Sequence, residues 1–307
     1  MQLEKLDKEL LKSISDLHDI PEGAYNIRKN GKLVSRNTNA NIEIVSKKDK
    51  DGIDIIIKPG TKNQSVHIPV IVSEAGLKDL VYNDFYIGKD AEVTIVAGCG
   101  IACGANKDEG HDGIHTFHLA EGAKVTYIEK HIGVGSGTGN RILNPITEIF
   151  LEKNSYMKME TAQISGITNS VRTTNAVLKE NSKLEINEKI MTAQNEYAET
   201  IFNVDLNGVD SSCHVVSRAI AKDVSRQIYK SVINGNCKCF GHTECDAIIM
   251  NGAYIVARPE LTAKVADASL IHEAAIGKIA GEQIIKLQTL GLTEKQAEEE
   301  IVKGFLK

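Results

Sequence analysis

Leu3, Leu6, Leu10, Leu11, Ile14 and Leu17 recur at helical spacing. This predicts an amphipathic helix over residues 2–18, ended before Pro21. Over residues 24–82 the period shortens. KNGKLV, NIEIV, GIDIIIK and HIPVIVS read as short strands joined by polar turns. From NDFYIGKDAEVTIVAGCG onward the chain repeats itself. DAEVTIVAG (90–98), GAKVTYIEK (122–130), NSYMKMETA (154–162), NSKLEINEK (181–189) and LTAKVADAS (261–269) share one pattern. A turn-like residue, a small residue and a polar one precede alternating strand positions. The first large inward positions align as Val93, Val125, Met157, Leu184, Cys213, Cys239 and Val265, at intervals of 32, 32, 27, 29, 26 and 26 residues. Strand-rich, turn-punctuated self-similarity at this period predicts a β-solenoid. A β-sandwich of hairpins is the alternative, since loops must absorb the varying interval.

The C-terminal end returns to helical spacing. In GKIAGEQIIKLQTLG, Ile279, Ile284, Ile285 and Leu287 form an apolar face and Gly291 is a stop. In LTEKQAEEEIVKGFLK, Thr293 is the predicted N-cap and Gln296 takes the capping-box position. Two short helices after a sheet suit either a cap on the solenoid or a docking surface. The expected organisation is thus a helix and small strand-rich segment (1–82), a β-solenoid core (83–275) and a helical segment (276–307).

Composition narrows the class. Hydrophobic residues make up 42% and charged residues 25% of 307, as in a soluble globular protein. A net charge of -5 gives no general basis for nucleic-acid binding. No apolar run approaches the ~18 residues of a membrane helix. MQLEKLDKELLK alternates charge with leucine and lacks the apolar core of a signal peptide. A cytoplasmic location with reduced thiols is therefore expected.

The six cysteines then become the main chemical clue. Cys237, Cys239 and Cys245 fall within nine residues, in NGNCKCFGHTECDAII. Thiolates are soft ligands for zinc, copper and iron–sulfur clusters. If Cys237 and Cys239 lie on a strand, both face the same side, and Cys245 continues that parity. The repeat alignment sets Cys213 and Cys239 in one ladder on adjacent coils. The competing reading is that Cys213 and Cys239 fill core positions held elsewhere by Val, Met and Leu. His272 and Glu273 follow in SLIHEAAIGK. Neighbours on a strand face opposite sides, so both are ligands only if a turn intervenes. A second concentration holds Cys99, Cys103, His111, His115, His118 and His131 beside the glycine run GVGSGTG (133–139). That run lacks the Lys-Ser/Thr ending of a P-loop.

Several segments together carry a family resemblance: SRAIAKD, ECDA, the Pro–strand–HEA–IGKI series and the closing GLTEKQAEEEIVKGF. From about residue 85 to the C-terminus the chain resembles the SufB/SufD family, the scaffold subunits of SUF iron–sulfur cluster assembly. The family's glycine-cysteine strand and later His match Gly98, Cys99 and His115. The resemblance implies a right-handed parallel β-helix with terminal helical segments and no catalysis of its own. It implies an iron–sulfur cluster, expected as [4Fe–4S]. It implies a SufC-like ABC-type ATPase docked on the C-terminal helices, since this chain has no Walker A motif. It further implies pairing of two β-helices, with a sulfur donor and recipient apo-proteins as other partners. Two features depart from the family. A key Cys that precedes the Pro strand in larger SufB subunits corresponds here to Ala253, and the Cys237–Lys238–Cys239 pair is not a family feature. The chain is also short for either subunit. A compact homodimeric form is therefore expected, with Cys213, Cys237, Cys239, Cys245, His272 and Glu273 as metal ligands.

Two other functions compete with this one. A structural subunit of the ATPase complex would keep its cysteines buried and inert. A β-helix enzyme acting on carbohydrate would need a groove with paired carboxylates, and no convincing acidic pair is present.

Overall fold

The computed structural model describes residues 5–15 and 23–307. The predicted helix is present as α1 (Lys5–Ser15); its predicted ends at 2–4 and 16–18, and Pro21, lie outside the described residues. Strands dominate the rest, and two ten-stranded sheets face each other. In spatial order the first sheet contains β2 (Lys32–Asn37), β1 (Ala24–Lys29), β5 (Lys62–Val72), β7 (Glu92–Ala102), β9 (Lys124–Val134), β12 (Tyr156–Ser165), β14 (Lys183–Thr192), β16 (Ser211–Ala221), β18 (Cys239–Ile249) and β20 (Ala268–Gly277). The second runs β19 (Tyr254–Ala263), β17 (Arg226–Gly235), β15 (Tyr197–Leu206), β13 (Asn169–Leu178), β10 (Arg141–Leu143), β8 (Glu109–Leu119), β6 (Lys78–Ile87), β4 (Gly52–Ile57) and β3 (Ile42–Ser46), with β11 (Ile146–Leu151) continuing the line of β10. From β4 onward the strands alternate between the sheets, β10 and β11 sharing one line, and pair in parallel with the strand one coil away. This is a β-solenoid of about 8 turns with short helices at its termini.

The repeat alignment predicts much of the register. Val93 pairs with Val125, Val125 with Met157, Met157 with Leu184, and Leu184 with Cys213. The next step differs. Cys213 pairs with Gly241, not Cys239, and Gly241 pairs with Leu270, not Val265. Leu270 and Ile233 fill the space at Gly241, where an added Cβ would lie 2.8 and 2.9 Å from them. A glycine thus holds the inward position that the pattern assigned to a large side chain.

The coils turn at residues that accept a left-handed backbone. Asp90, Gly122, Asn154, Asn181 and Asp210 all have positive φ and stack at one corner. Their backbone amides donate to the following coil, and the Asn181 side-chain Nδ2 donates to Asn154 Oδ1 at 2.7 Å. Asn and Asp tolerate this conformation because their short polar side chains bond locally. The N-terminal segment is antiparallel at its start. KNGKLV is not one strand, because Asn30 (φ 50) and Gly31 (φ 72) form the hairpin turn between β1 and β2. Helix α1 packs Leu10 and Leu11 against Ile27, Ile71 and Ala102. At the other end lie α2 (Gly281–Thr289) and α3 (Glu294–Phe305). The predicted Thr293–Gln296 capping box forms at the start of α3.

Candidate functional site

Inward positions of the solenoid are not uniformly apolar. One side of the interior is a continuous cluster of Ile, Val, Leu, Met and Phe. The other carries ionisable groups at the same strand parity. On β9, Tyr127, Glu129 and His131 follow Val125 inward. Arg172 on β13 crosses to them from the opposite sheet. It forms an ion pair with Glu129, and its Nη2 donates to His131 Nδ1 at 2.7 Å. His115 on β8 contacts the Tyr127 hydroxyl at 2.8 Å, and that hydroxyl donates to Glu129 at 2.8 Å. Glu188 on β14 accepts from Thr200 at 3.0 Å and from Ser217 at 2.7 Å. Further along, Tyr229 and Thr243 share a 2.5 Å hydrogen bond. A polar column therefore threads the interior towards the last coil.

Burial and charge set the ionisation of this column. Burial pulls the Glu129 carboxyl up, but His131 and Arg172 outweigh it and hold it well below the usual carboxylate range. Burial pushes His115 down to about 4, against the pull of Glu129, so its ring is neutral. Burial also raises Glu188, only partly offset by Arg172. A small cavity of about 20 Å³, the size of one water, is lined by Cys99, His111, His115, Glu129 and His131. Burial, with Asp79 and Glu129 nearby, holds the Cys99 thiol well above its ordinary value.

The column ends where the solenoid does. β20 and β19 are the last strands of their sheets, so no further coil covers them. Thr243 on β18 stands opposite His272 on β20, and Cys245 opposite Ala274. Cys245 points inward and is fully buried, beside Tyr229 and Glu188. Burial first, then Glu188 and Asp246, push its thiol up to about 12. Burial does the same to Cys213. Cys239 is buried at an inward position, and burial raises its thiol too. Cys237 is half-buried and lies in a bend before β18, not on the strand, with its Sγ 3.5 Å from the Leu206 carbonyl.

His272 and Glu273 face opposite sides. His272 turns inward and Glu273 is exposed on the outer face. There Glu273 meets two residues that the sequence reading did not select. His242 and Glu244 alternate with the inward residues of β18, and Glu244 is in register with Glu273. Among the described residues, His242, Glu244 and Glu273 are the one set of three such groups whose ligand atoms all lie within 4.8 Å of one another. His242 Nε2 is 3.7 Å from Glu273 and has no hydrogen-bond partner; His272 Nδ1 also has none. This nitrogen and oxygen set suits a divalent ion such as Fe²⁺ or Zn²⁺. The signal was present as His-x-Glu on a strand, with a Glu one coil later. Beside the set, a groove of about 510 Å³ on the outer sheet face is lined by Lys130, Lys189, His214, Arg218, Glu244 and Lys307.

The last two coils of this parallel solenoid thus carry Cys, His and Glu side chains. The family profile of the SufBD core domain, SUF system FeS cluster assembly, matches residues 85–305. The chain belongs to the SufBD family of SUF-system iron–sulfur cluster assembly proteins. It is similar to an iron–sulfur cluster assembly SufBD family protein of Methanothermobacter thermautotrophicus, with 28% identity over 83% of this chain and 62% of that protein. A Pyrococcus horikoshii protein of the same description is 27% identical over 90% of this chain and 84% of its own length. The iron–sulfur cluster assembly protein SufD of Escherichia coli is 24% identical over 62% of this chain and 52% of its own length. The chain thus spans 62% and 57% of the length of the two Methanothermobacter relatives. Family membership supports a role in iron–sulfur cluster assembly. No described helix is long and apolar enough to cross a membrane.

Proposed function

We propose that the chain is a cytoplasmic scaffold on which an iron–sulfur cluster, expected as [4Fe–4S], is built as cargo. The observation that carries this reading is the uncovered last coil. At this end Cys245 on β18 and His272 on β20 face inward, and His242 and Glu244 on β18 gather with Glu273 on β20 on the outer face. In this reading Cys245, His272 and Glu273 act as ligands, with Cys237 and Cys239 at the start of the Cys245 strand and Cys213 one coil deeper as further thiols. The carboxylate and imidazole set takes up ferrous iron before sulfide arrives from a sulfur donor, and recipient apo-proteins take the finished cluster.

Two surfaces suit partners. The open edges of β19 and β20 leave backbone groups unpaired, and Tyr254, Ile271 and Ile276 are exposed there. A second copy pairing edge to edge would cover them and enclose the cluster in a homodimer. Helix α2 and its C-cap expose Ile285 and Leu290, at 61% and 72%. This apolar pair suits docking of a SufC-like ABC-type ATPase, whose movement would open the dimer end.

One observation favours a second reading, a structural subunit that holds no cluster. Burial keeps the thiols of Cys213 and Cys245 protonated far above neutral pH. Anaerobic reconstitution with iron and sulfide, with and without the ATPase, separates the two. A cluster on the wild type that Cys245→Ser or Glu273→Gln abolishes supports the scaffold. If the wild type retains no iron or sulfide under either condition, the structural reading replaces it.

A further inference from the structure

Lys189 and Arg218 stand side by side on the outer face of the first sheet, in register on β14 and β16. Both are half-buried. Like charges directly opposite on neighbouring strands destabilise a sheet unless something compensates them. Among the described residues Arg218 forms no ion pair and no hydrogen bond. Lys189 forms no ion pair there either, and its Nζ donates to the Lys307 carbonyl at 2.7 Å. On β12, Ala162 is in register with both Lys189 and Lys130. Its small side chain leaves room between two long cationic ones, and the groove of about 510 Å³ opens over it. Small-molecule sites have volumes of this order.

The groove runs into the set formed by His242, Glu244 and Glu273. Glu244 belongs to both. His214 lines the groove and stacks on the His242 ring, with centroids 4.8 Å and planes 8° apart. The nearby carboxylates do not neutralise the two cations. Glu160 pairs with Lys158 at 2.5 Å. Asp246 is in register with Arg218, yet it lies beside Glu244 and makes no ion pair with the guanidinium. A ferrous ion held by one imidazole and two carboxylates is neutral overall. It prefers octahedral surroundings, so three protein donors leave positions open.

We propose that the groove holds a small organic polycarboxylate as a co-ligand of this ion. One carboxylate seats on Arg218 and Lys189, taking the place at Lys189 Nζ that the Lys307 carbonyl now holds. A second, at the Glu244 end, fills an open position on the metal. The site rests on the reading of His242, Glu244 and Glu273 as the set that takes up ferrous iron, and it adds the form in which that iron is held, an anionic chelate on a cationic strip. A planar guanidinium meets a carboxylate through two parallel N–H donors, which gives Arg218 the orienting role. One strand across and two residues along separate the Arg218 and Glu244 backbones, roughly 8 Å, so a monocarboxylate serves one end only. Without metal, the anion gains only the Arg218–Lys189 half. Ion and anion therefore strengthen each other's binding. Sulfide, the softer donor, displaces the carboxylate from iron when a cluster forms.

The test is anaerobic equilibrium dialysis of the full chain against Co²⁺ and citrate, with both read on the protein side. The wild type should hold citrate about tenfold or more tightly with Co²⁺ than without it, and acetate at the same ionic strength should gain nothing from the metal. In Arg218→Gln and in Lys189→Gln, citrate held with Co²⁺ should weaken about tenfold. Glu273→Gln should lose citrate together with the ion. Circular dichroism of each variant separates loss of fold from loss of ligand. Cobalt held without citrate leaves the ion set standing and overturns the co-ligand. A wild type that holds neither overturns the ion set, and the co-ligand with it. Citrate or inorganic phosphate held equally with and without Co²⁺ makes the groove a general anion site, which also overturns the proposal. So does unchanged citrate affinity in both the Arg218 and the Lys189 variants.

Discussion

Arg172 reaches from one sheet across the solenoid interior to Glu129 on the other, and both are fully buried. The two charges compensate each other where water is excluded. Removing one partner leaves the other unpaired in a low-dielectric interior, which costs about 3–5 kcal/mol. Arg172→Met is therefore expected to lower stability by that amount, measured by urea unfolding. The double variant Arg172→Met, Glu129→Gln should recover a substantial part of it. Equal loss in the single and double variants would mean that the pair is not the determinant.

Much of this architecture is readable from the chain, for a physical reason. Strand alternation and corner residues with positive φ are local, so the repeats locate most inward positions correctly from Val93 to Cys213. The reading fails at Gly241, whose missing side chain is replaced by Leu270 and Ile233 from neighbouring strands. No local pattern records that exchange. The polar column was hidden differently. Glu129 and His131 share the parity of Val125, yet only the arrival of Arg172 from the other sheet makes an inward carboxylate affordable. His242 and Glu244 become a set only with Glu273, which the register brings from the next coil. Cys237 and Cys239 looked like a strand pair; Cys237 lies instead in the bend before β18, although its side chain still packs beside that of Cys239.

The column also makes stability depend on pH. His115 has its pKa lowered by burial from 6.5 to about 4 in the folded chain. The unfolded state then binds the extra proton between these values. This contribution is complete above about pH 6.5 and is lost as pH falls towards 4. It amounts to about 3 kcal/mol at most. Glu129 acts in the same direction at lower pH, because its folded pKa is also depressed. Urea midpoints measured from pH 7 to 4 should fall steeply. In His115→Asn the slope between pH 6.5 and 4 should flatten, whatever the variant's stability at pH 7.

Thiol exposure ranks the cysteines. Cys237 is half-exposed, whereas Cys99, Cys103, Cys213, Cys239 and Cys245 are buried. Reaction requires the thiolate, and burial raises Cys99, Cys213 and Cys245 far from neutrality. Alkylation of the native chain, followed by mass spectrometry, should label Cys237 first and leave Cys99, Cys213 and Cys245 unmodified until the chain unfolds. Labelling of Cys245 as fast as Cys237 in the isolated chain would show that the last coil opens without a partner.

The uncovered end predicts the oligomeric state. Tyr254 is 57% and Ile271 42% exposed on the two edge strands. An edge with free N–H and C=O groups and apolar side chains favours pairing with another strand, and a charge placed on such an edge opposes it. Ile271→Lys and Tyr254→Lys replace apolar side chains already in solvent, so the fold itself should lose less than about 0.5 kcal/mol. Sedimentation equilibrium should then give a dimer for the wild type and a monomer for the double variant, with unchanged circular dichroism. If pairing encloses the cluster, the monomeric variant should also fail to retain iron and sulfide although every ligand remains. Retention by a monomer would assign the cluster to one chain alone, and a wild type that sediments as a monomer would remove the edge from the assembly.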